Sequence, residues 1–232
     1  MSFFQKLLGK PEVKKKSPPS KKKLLTTNAF REAIALKVPQ ESLEYCTSLW
    51  EEHPFSFAIT KSRSTCLGNY KFQNGHHTIT VNHDLNPYNF LITYIHEVAH
   101  QKVFIAYKGK KVPPHGLEWK QNFQKLMIPM LTEAVFPRDI LIPLANHMRR
   151  PPASSTRDQS LMKALKVYDN RSINDLTFLE ELAIGQSFLF KKRKFLKLEK
   201  RRTRALCLEL ETQKKYTVPL IAEVTLIGEI VR

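Results

Sequence analysis

Apolar positions recur along this chain at two periods, and the switch between them divides it. Phe30, Ile34, Ala35 and Val38 follow Thr26-Thr27-Asn28 at the spacing of one helix face. Pro39-Gln-Glu-Ser opens a second helix, with Leu43, Cys46, Leu49 and Trp50 as its stripe. The period then falls to two. Phe55 to Thr60 and Leu67 to Phe72 read as strands, Asn74-Gly75 as a tight turn, and His77 to Asn82 alternates Thr78, Thr80 and Asn82 with Ile79 and Val81. The expectation is a small, mainly antiparallel sheet of three strands. Asn86-Pro87 next begins a long helix that runs to about Tyr107 through Phe90, Leu91, Tyr94, Ile95, Val98 and Phe104. Lys108-Gly-Lys-Lys ends it with positive charge at the negative end of the helix dipole. A further helix starts at Leu117 with Trp119, Phe123, Leu126, Met127 and Met130, and Ile140 to His147 forms a short one.

After Arg149-Arg150-Pro151-Pro152 the character changes. Residues 151–175 have the composition of a linker, and Asp175 to Leu182 reads as a short turn or helix. Short alternating runs follow: Gln186 to Phe190, Lys194 to Leu198, Ala205 to Glu209, Tyr216 to Val218 and Ala222 to Ile227. They predict a small β-barrel or curled sheet over 176–232, too small to bury a large core alone.

Charge adds a second theme. The formal net charge is +17, which attracts polyanions, nucleic acid first among them. Residues 1–24, with Lys14-Lys15-Lys16, Pro18-Pro19 and Lys21-Lys22-Lys23, read as a disordered basic arm. In the β-region, Lys191, Lys192, Arg193, Lys194, Lys200, Arg201, Arg202 and Arg204 are candidate phosphate contacts, interleaved with Phe188, Phe190, Phe195 and Tyr216. Most of those aromatics are expected in the core. No apolar run approaches a membrane span, so stable membrane insertion is not expected. Three dispersed cysteines (Cys46, Cys66 and Cys207) give no disulfide framework. The expected setting is cytoplasmic, in contact with the nucleoid.

The chemistry concentrates in Thr93-Tyr-Ile-His96-Glu97-Val-Ala-His100. Residues four apart on a helix lie one above the other, so His96 and His100 can address one metal ion. Glu97 can reach a water at that ion and take its proton. Imidazole suits zinc, and a catalytic zinc site takes three protein ligands and leaves one position open. His115, in Pro113-Pro114-His115-Gly116, is preferred as the third ligand, with Glu118 as the competing one. His76, His77 and His83 read as turn histidines. Tyr94 and Tyr107 are candidate oxyanion donors, though Tyr94 reads better as core. Residues 77 to 82 are the candidate edge for pairing with a peptide substrate.

Several blocks together resemble one family. Arg63-Ser-Thr-Cys-Leu-Gly68-Asn-Tyr70, His77 to Asn82, Leu85 to His100 and Pro114-His-Gly-Leu-Glu-Trp-Lys120 are similar, in that order, to a SprT-like domain, the zinc metallopeptidase family that includes the Spartan proteases of DNA–protein crosslinks. The resemblance covers roughly residues 27 to 150; the domain is assigned to 25–150. It implies an α+β, zincin-like fold ahead of the small all-β domain. It also implies one Zn²⁺ on His96, His100 and His115, with Glu97 as the catalytic base. The implied substrate is protein attached to or bound on DNA. Many relatives carry a four-cysteine zinc ribbon after the peptidase domain, whereas this chain has only Cys207 there, as in a bacterial-type member without the ribbon. The competing function is a nucleic-acid-binding protein with a structural or inactive zinc site. A third reading is a membrane-surface protease that uses the N-terminal segment.

Overall fold

Local signals start most of the elements where the sequence places them. In this computed structural model, which describes residues 24–63, 65–108, 110, 112–152, 158–169 and 177–227, the Ala29 N–H donates to Thr26 Oγ1 and opens α1 (Thr27–Ile34). A 3₁₀ turn leads into α2 (Leu43–Glu52). The strands are β1 (Ser56–Thr60), β2 (Gly68–Gln73) and β3 (His76–Asn82). Asn74 and Gly75, both with positive φ, close the β2–β3 hairpin. The basic arm lies outside the described residues up to position 23.

The sheet order is β1-β3-β2, with β1 parallel and β2 antiparallel to β3. The sheet is therefore mixed, which corrects the mainly antiparallel expectation. The chain leaves β1, passes outside to β2 and turns back, so β3 enters the gap between them in the direction of β1. Alternation shows which face of β3 is buried, and Ile79 and Val81 are fully so. It carries no information on which strands are neighbours. A second correction follows. Residues 77 to 82 are the central strand, paired on both sides, and the edges are β1 and β2.

Helix α3 (Pro87–Ala106) packs on this sheet, capped by Asn86, whose side chain accepts from the Asn89 N–H. It is buried on nearly every side because α4 (Leu117–Met127), α5 (Arg138–Arg149) and α6 (Gln159–Lys166) complete the layer around it. Phe30, Phe55, Phe90, Tyr94, Trp119, Phe123 and Phe136 form the bulk of the core. The Tyr94 hydroxyl donates to Cys46 O at 2.9 Å, so it braces α2 on α3 and takes no part in the cleft.

Helix α6 lies in the stretch read as a linker. Asp158 caps it by accepting from the Leu161 N–H and also bonds His147 Nδ1 at 3.0 Å. Leu161 and Leu165 are fully buried in the first core. Asn86 Nδ2 donates to Leu165 O at 2.7 Å, which ties the start of α3 to the end of α6. Linker composition is confined to residues 151–157, and the apolar face at Leu161, Met162 and Leu165 is too short to stand out beside it.

The second sheet holds β4 (Thr177–Phe178), β5 (Ser187–Phe190), β6 (Arg193–Lys200), β7 (Arg204–Glu209), β8 (Lys215–Pro219) and β9 (Glu223–Leu226). Their order is β4-β9-β5-β6-β7-β8, and every pairing is antiparallel. Residues 177–178, placed in a turn or helix by the sequence reading, pair with β9 instead; positions 170–176 lie outside the described residues. Phe188, Phe195, Cys207 and Val218 form a separate core. Lys197 is buried beside it, and its ammonium group donates to Leu179 O at 2.8 Å and Leu182 O at 2.6 Å. Helix α6 touches this sheet through Lys166–Glu223 at 2.6 Å and Gln159 Nε2 to Thr203 O at 2.7 Å. Among the described residues, no helix is long and apolar enough to cross a membrane.

Candidate metal centre

One turn of α3 stacks His96 and His100, and the turn after α3 brings His115 across to them. Their Nε2 atoms are separated by 3.2 Å (His96–His100), 3.1 Å (His100–His115) and 3.3 Å (His96–His115). Tetrahedral ligation at zinc–nitrogen distances of about 2.0–2.1 Å places two ligand nitrogens about 3.3 Å apart. The three imidazoles therefore fit a zinc-type ion. Among the described residues they are the one group of ligand-type side chains close enough to share one. Glu118, the competing ligand, is not part of the group.

The electrostatics suit ligation. Burial, then the neighbouring His100 and His115, push the His96 imidazole down to about 2. Burial and His115 bring His100 down to about 4. Both rings are thus neutral at physiological pH, with lone pairs available to a cation. Trp119 forms the floor. Its ring centroid lies 4.5 Å from that of His96, 5.5 Å from His100 and 4.8 Å from His115. Its Nε1–H donates to His96 O at 3.3 Å. At Gly116 a Cβ would lie 3.2 Å from Pro113 O and 3.0 Å from Glu118 Oε2, so the glycine spares the turn that delivers His115 these tight contacts.

Glu97 lies beside the triad and is 6 % exposed. Burial pushes its carboxyl up to about 8, against the backbone N–H of Tyr70 and the charge of Arg63, which pull it down. Gly68 on β2 packs directly on it, and a Cβ there would sit 2.7 Å from Glu97 Oε1. Arg63 anchors the segment before β2. Its Nε donates to Asn82 Oδ1 at 2.8 Å, and Asn82 Nδ2 donates to Cys66 O at 2.9 Å. Strand β2 and its lead-in loop thereby form one wall of a cleft of about 550 Å³ that holds all three histidines and Glu97. Lys110, from the basic loop after α3, also lines it; Gly109 and Lys111 lie outside the described residues.

Sequence reasoning missed Gly68, the Tyr70 N–H and Arg63, which act on Glu97 from far along the chain. The signal was present as the i, i+2 alternation of Gly68, Tyr70 and Phe72, which places one face of β2 on α3. His77, read as a turn residue, lies within β3 and bonds the Tyr70 hydroxyl through Nδ1 at 2.9 Å.

The candidate phosphate contacts do not form one patch. Lys191 and Lys192, both at positive φ, make the β5–β6 turn next to Arg193 and the exposed Lys194. Lys200, Arg201, Arg202 and Arg204 sit at the other end of β6, about 23 Å away at 3.3 Å per residue. Arg193 is engaged by Glu209 and by the Tyr216 ring. Phe188 and Phe195 are buried, and Phe190 and Tyr216 pack against the same core.

The SprT-like family matches residues 40–136, a span that contains His96, Glu97, His100 and His115. No curated protein and no solved structure matches the chain. Over this segment the chain is similar to the SprT-like family.

Proposed function

We propose that this chain is a zinc-dependent peptidase acting on proteins bound or crosslinked to DNA. The observation that carries this reading is the convergence of three imidazoles beside a buried carboxyl group in one open cleft. A structural site needs no such carboxylate. His96, His100 and His115 would hold the ion, which when bound supplies Lewis acidity to the substrate carbonyl and to water. Glu97 accepts a proton from the attacking water and passes it to the amine nitrogen as the C–N bond breaks. Its burial favours this role, because a desolvated carboxylate holds a proton more strongly than an exposed one. Gly68 and the Tyr70 N–H fix where its oxygens lie. The free edge of β2 stands at the cleft and can register an extended polypeptide through main-chain hydrogen bonds.

The DNA-associated substrate is supported by the net charge of +17 and by the family. Basic groups at the two ends of β6 would add phosphate contacts without base stacking, since the nearby aromatics belong to the core. A cytoplasmic setting beside the nucleoid accords with that substrate. The test is proteolysis of a DNA-binding protein by the zinc-loaded chain, with and without DNA, beside Glu97→Gln. Cleavage that is lost in Glu97→Gln while zinc is retained is the expected result. Equal behaviour of the two proteins, with DNA binding intact, would overturn the reading and favour a binding protein with an idle metal site.

A further inference from the structure

Strand β2 and helix α3 run side by side, residue for residue. Gly68 meets Glu97 and Thr93, Tyr70 lies parallel to His100 with centroids 6.4 Å apart, and Phe72 lies on Phe104 at 4.2 Å. Two residues of strand advance by about 6.6 Å and one helical turn by about 5.4 Å, so the two rows stay in step. The row ends in a cluster of rings. His77 is 4.8 Å from Phe72 and 5.5 Å from Phe104, and its Nδ1 bonds the Tyr70 hydroxyl. Tyr70 and Phe104 line the cleft, and Phe72 is 40 % exposed beside them.

An exposed phenylalanine on an unpaired sheet edge invites wrong association unless it has a use. Here its ring is already packed against two others, His77 and Phe104, so covering it requires no rearrangement. The surroundings also select for chemistry. Glu97 is the one acidic group among the described residues lining the cleft. Lys110 also lines the cleft. Within the cleft a cationic side chain would find Lys110 and no acidic group but Glu97, whereas an apolar one would find the Tyr70 and Phe104 rings.

We propose that Phe72, Phe104, His77 and Tyr70 form a substrate subsite that takes a bulky apolar side chain of a polypeptide laid along β2. The proposal rests on the peptidase reading. Phe72 lies two residues beyond Tyr70 and four beyond Gly68, about 7 and 13 Å along the strand. An extended substrate has the same period, so the selected side chain lies two to four residues from the bond that faces Glu97.

The test uses the full chain in two measurements. The first is cleavage of a peptide mixture by the zinc-loaded protein, read by mass spectrometry. Leu, Met, Phe, Tyr or Trp is expected at one fixed position two to four residues from the cut. The kcat/KM ratio of apolar to alanine peptides should fall about tenfold in Phe72→Ser and recover in Phe72→Leu. The second is binding of the same peptides, fluorescently labelled, to Glu97→Gln with and without Phe72→Ser. It requires no turnover, and an affinity loss of about tenfold confined to apolar peptides is expected. Cleavage with no positional preference, or with one that survives Phe72→Ser, overturns the subsite and leaves the peptidase reading standing. No cleavage at all, with Phe72-dependent peptide binding in Glu97→Gln, sustains the subsite and sinks the peptidase reading. If Phe72→Ser weakens a labelled single-stranded oligonucleotide and not the peptides, the shelf stacks bases and the proposal is wrong.

Discussion

Gly68 and Glu97 are packed so closely that a single methyl group on the glycine would sit 2.7 Å from Glu97 Oε1 and 2.8 Å from its Cγ. Thr93 Cγ2 would also lie at 2.7 Å, so the added methyl meets two side chains of α3 at once. Gly68→Ala must therefore move the carboxylate or β2. Overpacking of this kind costs about 1–3 kcal/mol of stability. A base displaced by about 1 Å loses on the order of 10²-fold in rate. The expected result is kcat reduced by about that factor, KM little altered and zinc stoichiometry unchanged by metal analysis. Full activity in Gly68→Ala would show that Glu97 is not the base or is not held by this contact.

The third-ligand question separates cleanly. His115 shares the ion site, whereas Glu118 stands outside the group of candidate ligands. His115→Ala should fail to retain zinc through dialysis and should lose activity, while Glu118→Ala keeps both. Trp119→Phe removes the indole N–H that holds His96 O and should weaken zinc affinity by roughly 10–100-fold. Competition with a chromogenic chelator would measure all three. A zinc-depleted Glu118→Ala beside a zinc-replete His115→Ala would reverse the assignment.

These contrasts also show where the sequence is informative. His96, Glu97 and His100 are set by one helical turn, so their spacing alone defines the ligand pair and its neighbouring base. The helix that carries them announces itself through Asn86-Pro87 and its apolar run. His115 follows on a short connection stiffened by proline. Contacts made across the chain are different. Nothing local to Gly68 says that Glu97 lies against it, or that β3 enters between β1 and β2. Basic residues close in sequence were separated by the length of β6. The second sheet was legible as strands because each run alternates, whereas its strand order depends on pairing that alternation does not encode.

Helix α6 makes the boundary of the first folding unit testable. Leu165 is fully buried in the same core as Phe90 and Phe136, and its carbonyl accepts from Asn86 at the start of α3. Leu165→Ala should cost about 2–5 kcal/mol, read as a shift in the urea midpoint. A chain cut after residue 150 should show a larger loss, because the whole α6 face is removed from the core. Wild-type stability in the truncated chain would restore the linker reading of 151–175.

Glu209 provides the pH dependence. Its side chain is buried on β7, paired with Arg193 and accepting from Thr212 Oγ1. The Arg193 and Thr212 hydrogen bonds hold its carboxyl down at about 2, against an ordinary value of about 4.3. The folded state therefore binds this proton less readily than the unfolded state does. Its stabilising contribution is complete above the unfolded value and is lost as pH falls from about 4 through about 2. Glu209→Gln keeps an acceptor and removes the charge. At pH 7 it should melt below wild type, and the gap between the two should close over that acid window. Other carboxylates titrate in both proteins and cancel in the difference. A gap that stays constant from pH 7 to below about 2 would mean that the ion pair is not what Glu209 contributes, and that packing of its stem on the second core is.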